Sequence, residues 1–354
     1  MSDARPSMPK PSAGRRRRTV SVAADALVRA EPMANGAALP GLFRASRPDV
    51  QLLAWLSSRR QEVLARLHRE GALLLRGFAV TDTATIEAMT QTLAGEETLT
   101  YDYRSTPRRE VSGRVYSSTD YPPDQVIPQH SEQAYTRVFP RLLTFACLQP
   151  ARVAGATPLA DNRRVLARIP DEVRRAFEEA GVMYVRHYGD GLDLPWQEVF
   201  QTDDCQEVVR YCKAHHMEPT WLDDGARLRT RQLCPAIVAH PVTEEAVWFN
   251  QAHLFHVSAL AADDRQALTE LCGAAGLPRQ ALFGDGREIP DAYLSAVREA
   301  FAQETTRFDW EAGDLLLIDN LLVCHGREAY EGERRVVVCM AGAGDSMTWQ
   351  RAQP

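Results

Sequence analysis

Residues 127–135 read "IPQHSEQAY", which places His130 and Glu132 two positions apart in what otherwise looks like a strand entering a turn. Successive side chains of a strand point to opposite faces, so residues i and i+2 converge while Ser131 faces away. An imidazole and a carboxylate that converge can hold a metal ion, but an isolated H-x-E pair occurs by chance in many chains. Its meaning depends on a third ligand elsewhere.

Residues 314–342, "DLLLIDNLLVCHGREAYEGERRVVVCMAG", read as strand, short connection, strand, with His325 closing the first half. A histidine at a strand end and an H-x-E on another strand can close a three-point face on a metal and leave other positions open. That is the two-histidine, one-carboxylate arrangement of non-haem Fe(II) oxygenases. Arg334 and Arg335 follow, and the planar fork of a guanidinium matches a carboxylate in two parallel hydrogen bonds. An iron that binds 2-oxoglutarate needs such a fork for the far carboxylate. Adjacent residues of a strand face opposite ways, so only one of the two arginines points inward. Thr157, in "AGATPLAD", lies 27 positions after His130 and can give the same carboxylate a hydroxyl hydrogen bond.

Around these segments the pattern is mainly β with flanking helices. Residues 48–71 carry apolar side chains at three- and four-residue intervals up to Gly71, which predicts a helix with a glycine cap. "ALLLRGFAV" follows as a buried strand and "DTATIEAMTQTL" as a helix capped by Asp82 or Thr83. Further strands are expected in "RLLTFACLQP", "GVMYVRHY", "RLRTRQLCPAIVAHP", "AVWFN", "GDLLLIDN" and "RRVVVCMAG", and helices near 171–180, 204–215, 263–275 and 290–303. Strands do not alternate regularly with helices, which disfavours a doubly wound parallel sheet and favours a double-stranded β-helix, or jelly-roll, core.

Composition sets the outer bounds. With 354 residues, 45% hydrophobic and 25% charged, the chain has a globular composition, and it has no apolar run of the roughly 18 residues a membrane span needs. A net charge of -6 argues against a nucleic-acid partner. Seven cysteines without a C-x-x-C pair build neither a zinc site nor a disulfide framework, so the expected compartment is the cytoplasm. Residues 1–40 are rich in Pro, Ser, Ala and Gly, include Arg15–Arg18, and lack a sustained apolar period. They are expected to form a basic tail without a fixed fold, leaving 41–354 as one oxygenase domain. Asp25, Arg29 and Glu31 interrupt what a secretion signal would need as its apolar core.

With these segments in view, the chain resembles the taurine dioxygenase family of Fe(II)/2-oxoglutarate oxygenases. It is most similar to the branch that hydroxylates amino acids for nonribosomal peptide pathways, such as the syringomycin-type aspartyl hydroxylases. The resemblance runs from about residue 70 to 343 and rests on "GALLLRGF", "YRSTPRREV", "YSSTDYPPDQVIPQHSEQAY", "FPRLLTFACLQPARVAGATPLAD", "VWFNQAHLFHVSAL", "LFGDGREI" and "GDLLLIDNLLVCHGREAYEGERR". It implies His130, Glu132 and His325 as iron ligands and Thr157 as a co-substrate contact. It also favours Arg334 over Arg335, because relatives keep arginine first and allow lysine second. Fe(II), 2-oxoglutarate and O2 are the implied cofactor and co-substrates, and hydroxylation of an sp3 carbon is the implied outcome, with desaturation and epoxidation open. Two departures stand out: the acidic ligand is Glu where much of the family has Asp, and the family's Gly-Gly before Thr is Gly155-Ala156, a less permissive turn.

Other polar residues are weaker candidates. Arg104 and Arg108, with Arg109, suit a substrate carboxylate or the phosphate of a carrier arm, which would make a peptidyl carrier protein a partner. Solvated loop charge accounts for them equally well. Asn250 and Gln251 are candidates for the pocket lining. His253 is a substrate-contact candidate beside a packing role, and His256 shares that ambiguity. His215 and His216 sit at a helix end, where they complement the helix dipole. Cys324, Trp248, Phe249 and Trp310 are expected in the core. The rival functions are an oxygenase of a free small acid and a non-catalytic sensor of metal or 2-oxoglutarate. Oligomeric state has no signature in the sequence.

Overall fold

The computed structural model describes residues 27–80, 82–100, 103, 109–118, 121–189 and 191–349. Two sheets face each other across the core. The larger runs in the order Val28–Glu31, Gly41–Ala45, Ala72–Arg76, Leu315–Asp319, Val138–Gln149, Arg335–Asp345, Val115–Ser117, Glu110–Ser112. All its neighbours are antiparallel except Gly41–Ala45 with Ala72–Arg76. The smaller has Val323–Arg327 between Ile127–His130 and Leu159–Asp161. This is the expected jelly roll with helices outside.

Alternation along the central strands explains the layering. Leu73, Leu75, Leu315 and Leu317 face the helices Leu52–Glu70 and Thr83–Ala94, meeting Leu56, Val63, Ile86 and Met89. Leu74, Phe145, Leu316 and Ile318 face inward and meet Leu159 and Val323 of the smaller sheet. Strands covered on both faces read as unbroken apolar runs, as "ALLLR" and "LLLID" do. Each fully buried leucine contributes about 1.5–3 kcal/mol.

Local signals set the helix ends. Leu52–Glu70 stops at Gly71, whose φ of 79° is left-handed and whose N–H donates to Leu67. A Cβ there would lie 2.5 Å from Val323, so the glycine also permits the helix to approach the smaller sheet. Asp82 caps Thr83–Ala94 by accepting the Thr85 N–H at 2.8 Å. The four later helices appear as Asp171–Ala180, Cys205–Ala214, Ala262–Cys272 and Asp291–Glu304.

Three expectations are corrected. The boundary of the tail at residue 40 is too late, because Val28–Glu31 pairs with Gly41–Ala45 and Val28, Met33 and Leu39 are buried. Residues 1–26 lie outside the described ones. The strand after Gly71 ends at Arg76, where Gly77 turns the chain at φ 84°. "RLRTRQLCPAIVAHP" divides around Pro235 into Arg227–Cys234 and Ile237–Ala239, since proline has no N–H for a ladder. Arg227–Cys234 joins Glu218–Leu222, Val182–Tyr188 and Arg279–Phe283 in a separate four-stranded sheet. No helix among the described residues is long and apolar enough to cross a membrane.

Two central strands are tied where they meet the loop before Leu315. Arg76 grips Asp314 through two bonds, Nε to Oδ1 at 2.9 Å and Nη2 to Oδ2 at 2.6 Å, and both residues are buried. Removing Asp314 takes away the buried carboxylate and leaves the Arg76 charge with Glu311, an exposed partner at 2.6 Å. Asp314→Ala should therefore cost about 3–5 kcal/mol in chemical denaturation. A loss below about 1 kcal/mol would show that the pair is not holding these strands.

Candidate metal and co-substrate site

His130 ends its strand and His325 lies directly opposite it in the neighbouring strand. Their ring centroids are 4.6 Å apart, and the Phe145 ring from the larger sheet stands 4.9 Å from His325. Glu132 completes the group: one ligand atom from each of His130, Glu132 and His325 lies within 4.8 Å of the others, and His325 Nε2 is 4.0 Å from Glu132 Oε2. The convergence was expected, but its local cause was not. Glu132 is not on the strand; the strand stops at His130 and Glu132 starts a turn that continues through Gln133 at φ 56°.

The donor set fits a divalent metal such as iron. Bonds of about 2.1 Å place two ligands of one ion at most about 4.2 Å apart, so the His325–Glu132 spacing suits a shared ion. His130 Nδ1 lies 2.9 Å from the Pro128 carbonyl, which can only accept. Nδ1 therefore carries the proton and Nε2 presents its lone pair toward the cluster.

A cleft beside the histidines is lined by His130, Phe145, Thr157, His325, Arg327 and Arg334. Arg334 is partly buried there while Arg335 is exposed, which matches the expectation that only one arginine turns inward. Arg334 Nε donates to the Gly155 carbonyl at 3.0 Å, and no carboxylate among the described residues forms an ion pair with it. Burial, with Arg327 beside it, lowers the Arg334 pKa to about 10, so the guanidinium stays charged at neutral pH in a site that favours an incoming anion. Trp310 Nε1 donates to Thr157 Oγ1 at 3.0 Å. An indole can only donate, so the threonine hydroxyl accepts there and its own proton is left to point at an acceptor in the cleft.

Residues 35–340 match the family described as "Taurine catabolism dioxygenase TauD, TfdA family". The chain belongs to that family. It is an Fe(II)- and 2-oxoglutarate-dependent dioxygenase, which sets aside the non-catalytic sensor. This TauD-family chain is 41% identical over 309 residues to the dapdiamide synthesis protein DdaC of Enterobacter agglomerans, covering 87% of the chain and 93% of that protein. It is 32% identical over 284 residues to a clavaminate synthase-like protein of Arabidopsis thaliana, covering 77% and 82%. Among solved structures, a taurine dioxygenase from Burkholderia xenovorans superposes with a TM-score of 0.53 at 14% identity, covering 90% of each chain. PvcB, an Fe, alpha-ketoglutarate dependent oxygenase from an isonitrile synthetic pathway, gives 0.52 at 14%, covering 90% of this chain and 93% of its own. At these identities the two structures support the fold.

Not every candidate reaches the site. Arg104 and Arg108 lie outside the described residues. Asn250 is corrected to a structural role: its Nδ2 donates to Ala236 and its Oδ1 accepts from the Ala252 N–H, so both ends of the amide serve the backbone. His253 is corrected likewise. It is buried, stacks on Phe301 at 4.6 Å and bonds the Gln129 carbonyl through Nε2 at 3.3 Å, bracing the strand that leads to His130. Burial lowers its pKa to about 3, so it stays neutral. His256 caps a short turn through Ser258, and the His215 ring stacks on Tyr211 at the end of its helix. Gln251 does not line the cleft but donates to the Ser131 carbonyl at 2.6 Å. Cys324 is core, as expected.

Two roles escaped the sequence. Arg327 donates to the carbonyls of Tyr121, Pro122 and Gln125, strapping that segment near the cleft. Asn320 holds the turn that carries Glu132. Gly155 shows a constraint that the departure from Gly-Gly left open. Its φ is 76°, and a Cβ would sit 2.9 Å from Tyr330 Cβ and 3.3 Å from Arg334 Cδ. The left-handed strain alone costs about 1–2 kcal/mol. Gly155→Ala should raise the apparent 2-oxoglutarate KM several-fold by displacing Arg334, and an unchanged KM would show that the turn does not position the arginine.

Proposed function

We propose that this chain oxygenates an amino acid or amino-acid-derived substrate in natural-product biosynthesis, with hydroxylation of an sp3 carbon as the default outcome. His130, Glu132 and His325 would hold Fe(II), and Arg334 and Thr157 would hold the far carboxylate of 2-oxoglutarate. The observation that carries the site is the placement, in the same cleft as the two histidines, of a charged, partly buried arginine that has no carboxylate partner among the described residues. When bound, Fe(II) supplies the O2 chemistry, in which 2-oxoglutarate becomes succinate and CO2 and the second oxygen atom goes to the substrate.

The chain's own residues would set the geometry. Arg334 offers the guanidinium fork and Thr157 one hydroxyl proton, so the co-substrate is oriented along the line from Arg334 to the histidines. Phe145 and Val336 make part of the wall apolar, which keeps water from competing at the carboxylate. The 41% identity to a dapdiamide synthesis protein over most of both chains supports an amino-acid-type substrate over a free small acid of catabolism.

Supply of the substrate on a peptidyl carrier protein is the finer part of this proposal, and Arg104 and Arg108 are the residues offered to the carrier-arm phosphate. A screen of free and carrier-loaded amino acids, with Fe(II), 2-oxoglutarate and O2, should show one loaded substrate gaining one oxygen atom. Arg104→Glu and Arg108→Glu should then reduce its kcat/KM by about 5- to 150-fold, the equivalent of roughly 1–3 kcal/mol for a charge-assisted contact. Equal turnover of the free amino acid would contradict the carrier, and no oxygenated amino-acid product from either form would contradict the substrate class.

A further inference from the structure

Glu132 lies beyond the end of its strand, so no ladder hydrogen bond fixes its backbone as pairing fixes His130 and His325. Asn320 takes over that task. It is 0% exposed, and its side chain grips both backbone groups of Glu132: Oδ1 accepts the Glu132 N–H at 2.7 Å and Nδ2 donates to the Glu132 carbonyl at 2.9 Å. The second Nδ2 proton goes to the Pro140 carbonyl at 2.8 Å, so both donors of the amide are engaged. The preceding residue is held as firmly. Gln251 donates to the Ser131 carbonyl, and Asn162 donates both to Ser131 Oγ at 3.0 Å and to the Leu321 carbonyl at 2.8 Å.

The grip is itself braced from outside the barrel. Asp319 Oδ1 accepts the Leu321 N–H at 3.1 Å, and Asp319 Oδ2 faces His240 Nε2 at 3.0 Å. His240 Nδ1 accepts the Thr243 N–H, which leaves Nε2 as the donor to Asp319. The segment 319–325 thus carries one candidate ligand, His325, and holds a second, Glu132, by its backbone.

We propose that Asn320 is a positioning residue that sets the place of the carboxylate ligand, an inference that rests on the assignment of His130, Glu132 and His325 as the metal ligands. Asparagine suits the position because it alone offers one acceptor and two donors at this reach. Aspartate would keep the bond to the Glu132 N–H but set an oxygen against two carbonyls. Residues that orient metal ligands typically change metal affinity by about 10- to 100-fold when lost.

The test uses the full chain and Co(II), whose visible absorption reports its coordination. Asn320→Asp and Asn320→Ala should weaken Co(II) binding by about 10- to 100-fold and alter the absorption of what binds. Asn250→Ala, a loss of another buried asparagine bonded only to backbone, should lower the melting temperature of the metal-free protein but leave Co(II) affinity and spectrum unchanged. If Asn320→Asp does not fold, Asn320→Ser carries the same expectation. Co(II) affinity and spectra like wild type in the folded Asn320 variants, with His325→Ala defective, would overturn the positioning role and leave the ligands standing. Equal weakening by Asn250→Ala would reduce Asn320 to a general stabiliser and overturn it too. Wild-type Co(II) binding by His325→Ala would overturn the ligand assignment itself, and with it this inference.

Discussion

His325→Ala is expected to abolish Fe(II)-dependent formation of succinate while the protein stays folded. His325 pairs with His130 across the smaller sheet and lies 4.0 Å from Glu132, so its removal opens the centre of the cluster. A bound metal contributes several kcal/mol to catalysis, and losing it should lower turnover by more than about a thousandfold. His130→Ala and Glu132→Ala should act alike, since a site reduced to two donors binds far more weakly. Near-normal turnover in any of the three, measured as succinate released per chain, would show that the triad is assigned to the wrong residues. Thermal unfolding of the metal-free variants separates this loss from misfolding.

Arg334→Ala should give the next largest effect. The guanidinium is charged, partly buried and next to Arg327, and the described residues offer it no carboxylate. Truncating one partner of a buried, hydrogen-bonded charge pair costs about 2–5 kcal/mol, which corresponds to an apparent 2-oxoglutarate requirement raised roughly 30- to 5000-fold. Arg335→Ala should change it little, because that side chain is exposed. The reverse pattern, with Arg335 sensitive and Arg334 tolerant, would place the anchor one residue later.

Much of this was legible in the residues because the relevant periodicities are local. The unbroken apolar runs marked the central strands, Gly71 and Asp82 marked helix ends, and strand alternation allowed one inward arginine out of two. What could not be read locally were the contacts across the chain. The pairing of His130 with His325 spans 195 positions, and nothing in "IPQHSEQAY" shows that its strand stops at His130. Side chains that bond backbone were the hardest to assign. Asn320 in "LIDN" looks like an ordinary turn residue after an apolar strand, and its meaning appears only when Glu132 folds against it. Trp310 reads as packing, and it is buried, but its indole N–H also orients Thr157. Asn250 and His253 show the converse: polar residues close to the site in sequence pattern whose hydrogen bonds belong to the scaffold. The strand Val28–Glu31 was missed because a short edge strand in a segment rich in Ala, Pro and Gly has too few apolar residues to show a period.

Anaerobic loading of the metal-free full chain with Fe(II), followed by addition of 2-oxoglutarate and O2 and measurement of iron stoichiometry and succinate, tests the assignment most directly. One Fe(II) per chain and succinate formation that requires both Fe(II) and O2 is the expected result. A folded chain that binds no Fe(II), or succinate formation that continues undiminished when iron is chelated, would contradict it.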